Sequence, residues 1–218
     1  TAQDLRLEEL HKTLVALHSR AAQFDIDAKE IGPDLTSAKH QPRDWIESRL
    51  DAQKDARVDS GLMDQLNREL QQIEVTDPKD EQDRLGTVRI EQMSWEPGLF
   101  VVTTAVGIPC QDDDSAYGYV YRDGHWTRVW ESEQLDYHKG KYAPQFLRAV
   151  HVWHSYTDKR EEEPTYVMSL GHEGGCFSTW HNVYFRIWRI DRSGSKVLID
   201  GQEFAWMRSE LFLVGSIC

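Results

Sequence analysis

The side chains best suited to chemistry cluster late in the chain, where His172, Glu173, Cys176 and His181 surround a Gly-rich turn. Imidazole and thiolate are the ligand types that zinc and copper prefer, so His172, Cys176 and His181 form a candidate metal site for Zn or Cu. Cys176 and His181 also read as a nucleophile and its base, with the Gly174 and Gly175 amides as oxyanion donors. Either arrangement would make the protein a metal-assisted or cysteine-dependent hydrolase. The spacing matches no zinc-finger or His-Glu-x-x-His pattern. Loop histidines with local partners and a buried or disulfide-bonded cysteine account for the same residues without a metal. His151 and His154 lie three apart on a strand, which points them to opposite faces.

A second constellation is aromatic. Tyr117–Tyr121 and Trp126–Trp130 flank Asp123-Gly124, a strong signal for a two-residue hairpin turn. That turn sets Tyr121 opposite Trp126, Tyr119 opposite Arg128 and Tyr117 opposite Trp130, so all six share one face. From Trp180 onward, Trp180, Asn182, Tyr184, Arg186 and Trp188 share a face by the same alternation. The opposite face, with His181, Val183, Phe185, Ile187 and Arg189, reads as the core side. Rings alternating with arginine, stacked by cation–π contact, form a platform for a sugar or an extended peptide. Alternatively the rings pack under helices or a second sheet while each arginine reaches out to water. Buried rings are the commoner outcome in folded chains. The two readings separate on exposure, since a platform needs Trp126, Trp130, Trp180 and Trp188 to be at least half exposed.

The elements that must position these residues divide near residue 80. Of eight Trp, eight Tyr and seven Phe, only Phe24 and Trp45 precede residue 81. Residues 1–80 read as a helical N-terminal segment. Leu7, Leu10, Leu14, Leu17, Ala21 and Phe24 step by three and four along one stripe. Gly32-Pro33 predicts a loop, Pro42 the first turn of a second helix, and Asp59 or Ser60 the cap of a third carrying Leu62, Leu66, Leu70 and Ile73.

Residues 81–218 read as an antiparallel β domain. Val88 and Ile90 alternate, Leu99–Val106 is rich in β-branched residues, and Gln111–Asp114 reads as an acidic loop. That run lacks the glycine and distal glutamate of a helix–loop–helix calcium site and predicts a solvated tip. A second hairpin is expected from Lys196–Ile199 and Gln202–Trp206, turning on Asp200-Gly201, and Leu211–Ile217 closes the chain as a strand. Nine or ten strands joined by short links predict an α+β protein with a meander or sandwich.

Composition narrows the function. A net charge of -12 opposes non-specific nucleic-acid binding and anionic membrane surfaces. No apolar run reaches the length of a bilayer span. No phosphate-binding loop, dinucleotide fingerprint or Gly-x-Ser-x-Gly elbow occurs. The expected function is a non-enzymatic binding or assembly module whose β domain meets a protein or glycan partner, with the hydrolase as its rival. Cys110, Cys176 and Cys218 are too few for a disulfide scaffold. A first residue other than Met and the aromatic content of the β domain point to a periplasmic or extracellular location; three free thiols would suit a cytoplasmic one.

Overall fold

A computed structural model describes residues 2–21, 28–53, 58, 60–73, 88–96, 99–108, 111–132, 145–154, 164–173 and 180–206. Three helices come first: α1 (Ala2–Ala21), α2 (Ala28–Asp51) and α3 (Ser60–Gln71). Eight strands follow among the described residues: β1 (Val88–Glu96), β2 (Leu99–Ile108), β3 (Gln111–Arg122), β4 (His125–Glu131), β5 (Gln145–His154), β6 (Thr165–Glu173), β7 (Trp180–Asp191) and β8 (Gly194–Trp206). They form two antiparallel meanders, β1-β2-β3-β4 (sheet A) and β5-β6-β7-β8 (sheet B). The expected strand over Leu211–Ile217 lies outside the described residues.

Sheet A is a middle layer. One of its faces carries Phe100, Val102, Val106, Tyr117, Tyr119 and Trp126, and these join Leu10, Leu14, Leu17, Trp45, Ile46, Leu50, Leu66 and Leu70 of the helices in one core. The other face carries Leu99, Val101, Ala116, Val120 and Trp130, which meet Val150, Val167, Trp188 and Ile190 of sheet B in a second core. Trp130 and Trp188 hold the two sheets together edge to face, with ring centroids 5.2 Å apart at 72°.

Leu7, Leu10, Leu14 and Leu17 of α1 and Leu62, Leu66, Leu70 and Ile73 at α3 keep the expected stripes; the expected continuation to Phe24 lies outside the described residues, and Gly32-Pro33 is no loop. It lies inside α2, as does Pro42. Each interior proline removes a backbone bond at a cost of about 3 kcal/mol. Leu35, Ala38, Trp45, Ile46 and Leu50 nevertheless fall on one buried stripe of that helix, and fully burying a large apolar side chain returns roughly 1.5–3 kcal/mol. The stripe outweighs the prolines.

Two turns decide the β layers. Asp123 and Gly124 adopt φ of 53° and 84°, the left-handed pair that a two-residue hairpin requires. Asp200-Gly201, by contrast, is not a turn, and β8 runs straight through it. The chain reverses instead at Arg192–Ser193, where Gly194 takes a φ of 118°. Asp200 is held in the ladder by Arg186, whose Nε donates to its Oδ1 at 2.8 Å. The Phe185 ring lies over Gly201 so closely that a Cβ there would meet it at 2.2 Å.

The acidic run Asp112–Asp114 is not a solvated tip either. It belongs to β3, and Asp113 faces the helices. There Lys39 Nζ donates to its Oδ1 at 2.7 Å, with side-chain exposures of 2% and 0%. Tyr117 donates its hydroxyl to the Lys39 carbonyl at 3.2 Å, fixing the same turn of α2 from two positions further along that face.

Candidate binding surface

The aromatic rows of the sequence are core. Tyr117, Tyr119, Trp126, Trp130, Tyr184 and Trp188 are all buried, none above 9% exposure, and Tyr121 is partly buried. Of the four tryptophans a platform would need, Trp126, Trp130 and Trp188 fall far short of half exposure; the side chain of Trp180 lies outside the described set. The rings therefore carry no weight for an extracellular location.

The six residues of the first hairpin also do not share a face. Tyr121 pairs with Trp126 and Tyr119 with Arg128, but Tyr117 pairs with Glu131 and Gly118 with Trp130. A bulge at Val129 inserts one residue, which turns the next side chain to the opposite side. Trp130 thereby leaves the helix side for sheet B. Gly118 makes room for it: a Cβ there would stand 3.2 Å from both Trp130 Cε3 and Leu99 Cδ1. Beyond the bulge, Ser132 restores the ladder, its N–H donating to the Ala116 carbonyl at 2.8 Å and its Oγ accepting from the Ala116 N–H at 2.9 Å.

The arginines are ion-paired and not threaded between rings. Arg128 reaches Glu47 at 3.3 Å and Glu131 at 3.2 Å, Arg43 reaches Asp44 at 2.9 Å, and Arg186 reaches Asp200. Among the described residues, a guanidinium lies over a ring at Arg49, 5.6 Å from the Trp45 centroid. This charged seam between α2 and β4 shifts its neighbours. Burial, helped by Arg43, holds His40 below the usual histidine range. Burial pushes the Glu47 carboxyl up despite Arg128. Burial also pushes the Tyr119 hydroxyl far above the usual range, with the Glu47 charge adding to it.

His172 sits in β6 and not in a turn, where it is buried and pairs with Val183. His181 occupies β7 opposite Ala205, its side chain outside the described set. Cys176 lies outside the described residues, so no geometry joins the three expected ligands. Among the described residues, no group of three or more His, Cys, Asp or Glu is placed to hold a metal ion.

The exposed apolar surface is elsewhere, on the face of sheet B turned away from sheet A. The expected inside and outside of β7 are inverted: Tyr184 and Trp188 are buried, while Phe185 is 37% exposed. Register arranges this outer face in rows. Trp153, Tyr166, Arg189 and Lys196 form the first, and His151, Met168, Ile187 and Ile199 the second. Leu170, Phe185 and Gly201 belong to the third, and the fourth holds His172, which is buried, beside Val183 and Glu203. Trp153 is 39% and Ile199 47% exposed, and Trp153 stacks on Tyr166 with centroids 5.6 Å apart at 15°. A signal for this face exists in β6, where Tyr166, Met168 and Leu170 alternate with the smaller Val167, Ser169 and Gly171. Small residues allow two sheets to approach, so the large ones are left outside.

No family model matches the chain, and neither the curated proteins nor the solved structures contain a match to it.

Proposed function

We propose that the protein is a non-enzymatic binding module that meets a protein partner through the outer face of sheet B. The observation that carries this reading is the row arrangement of Trp153, Tyr166, Met168, Ile187, Phe185 and Ile199 on one continuous sheet face. Contiguous exposed apolar patches on soluble proteins mark interaction surfaces, and aromatic residues and Met are enriched at the centres of such interfaces. The chemistry favours a protein over a glycan. A sugar site needs flat rings flanked by several hydrogen-bonding groups, whereas Met168, Ile187 and Ile199 present aliphatic surface.

A photocrosslinker placed at Phe185 tests this against one at Val15, which is 39% exposed on α1. Covalent protein adducts should form from position 185 and not from position 15, and should fall away when Ile187→Asp is added. Equal labelling from the two positions, or adducts to carbohydrate alone, would refute the reading.

A further inference from the structure

Resting on that reading, we infer that the partner docks through an acidic peptide segment, with a carboxylate seated on Arg189 and Lys196 and apolar side chains on the rows behind them. The two cations stand side by side at one end of the outer face, Arg189 on β7 in direct register with Lys196 on β8. Like charges so placed disfavour each other. Asp191 offsets one of them, its Oδ2 lying 3.2 Å from Arg189 Nε, while its Oδ1 accepts from the Ser193 N–H and hydroxyl. Arg192, exposed in the turn between the two strands, adds a third cation. The stretch Arg189–Lys196 thus holds three cations and one acid in a chain whose net charge is -12. A partner carboxylate laid over Arg189 and Lys196 gives each cation an opposite charge and offsets their repulsion.

What lies beside the cations sets the rest of the segment. Both cations are open to water, the Arg189 side chain being 49% exposed and Lys196 exposed. Trp153 and Tyr166 complete their row with stacked rings. Met168, Ile187 and Ile199 stand in the row behind, and Phe185 in the next. Successive rows are about 7 Å apart, two residues of strand. An extended peptide repeats its side chains on one face at that same interval. A carboxylate on the cations therefore brings the side chains two and four positions along over Ile187 and then over Phe185. The segment ends there, short of the buried His172 in the fourth row. Nucleic acid is the poorer match, because a single strand needs a groove of cations that follows its backbone, and the acidity of the whole chain opposes it.

A phage-displayed library of random linear peptides, selected on the full chain, tests it. The enriched sequences should share an Asp or Glu with apolar residues two and four positions away. The synthesised consensus peptide should bind more weakly as salt is added, because the charged pairs are exposed. Lys196→Glu should weaken it roughly tenfold, by turning an attraction into a repulsion. The same change should raise the melting temperature of the chain, since position 196 then faces Arg189 with the opposite charge. A lysine with a structural role alone would not give that opposed pair of effects. Ile187→Asp should abolish peptide binding, with an unchanged circular dichroism spectrum confirming that the chain is folded. A library that enriches nothing, a basic or uncharged consensus, or a consensus indifferent to Lys196→Glu overturns the proposal. So does an oligo-dT strand that binds the chain more tightly than the consensus. Where Phe185 still crosslinks a protein in any of those cases, the face stands and the acidic segment is refuted.

Discussion

Removing Lys39 or Asp113 alone should destabilise the protein far more than removing both. The two side chains are 2% and 0% exposed and 2.7 Å apart, so their attraction acts out of reach of water. Deleting one partner of a buried ion pair typically costs about 3–5 kcal/mol, because the survivor is left charged in an apolar setting. Replacing both by apolar groups of similar volume is often neutral or stabilising by about 1–4 kcal/mol. Lys39→Met keeps the stem that packs under the helix, and Asp113→Val suits a strand facing Val106 and Lys39. The Tyr117 bond to the Lys39 backbone carbonyl survives all of these changes. In urea, with a slope near 3 kcal/mol/M, each single variant should lose about 1–2 M in midpoint at constant slope. The double variant should lie within about 1 kcal/mol of the parent or above it. Single variants costing under about 1 kcal/mol, or a double variant costing the sum of the two, would refute the description of this pair as a buried, mutually dependent charge couple.

Trp130→Ala and Trp188→Ala should each cost about 3–5 kcal/mol through lost burial and the cavity left behind. Their double-mutant cycle should show coupling of about 0.5–1.5 kcal/mol from the edge-to-face pair; additive losses would deny that contact. Gly201→Ala should destabilise the parent by displacing the Phe185 ring. With Phe185→Ala already present, the same change should stabilise by about 0.5–1 kcal/mol, as an interior glycine in a strand normally allows, and denaturation of the four variants decides it. His40 is held below its ordinary value, so the unfolded chain takes up its proton first. Stability should therefore fall as pH drops through about 6.5, the unfolded value, and His40→Gln should flatten that part of the thermal-stability profile. Burial disfavours the ionised form of Glu47 as well, raising its carboxyl, so its contribution has the opposite sign, growing as pH falls, and acts at lower pH.

The parts of the fold that local chemistry dictates were legible in the sequence. Asp123-Gly124 announces its turn because both residues tolerate a positive φ, and Leu62, Leu66, Leu70 and Ile73 announce a helix face because steps of four, four and three share one side of a helix and not of a strand. Asp200-Gly201 carries the same letters and forms no turn, because Phe185 and Arg186 on the neighbouring strand hold it extended. The bulge at Val129 has no local mark; it follows from fitting Trp130 against Gly118 and, across the layers, against Trp188. Asp113 could not be told from a loop acid without Lys39, 74 residues away. The inside of β7 was misread because both of its faces are apolar, and which one faces sheet A depends on where that sheet lies. The candidate surface was the least legible, since exposed and buried rings look alike until the layers are stacked.

Sheet A has helices on one side and sheet B on the other, and its inner strands β2 and β3 are bonded along both edges. A strand so enclosed has no route by which its amides can reach water through small openings. Its protons should exchange with solvent only when the whole molecule opens, at the rate set by global unfolding. β8, with Val197, Leu198 and Ile199 all more than 40% exposed, is free to fray one bond at a time. The protein thus combines a slow interior clock with a fast outer margin, and it is the fast margin that borders the surface on which a partner would settle.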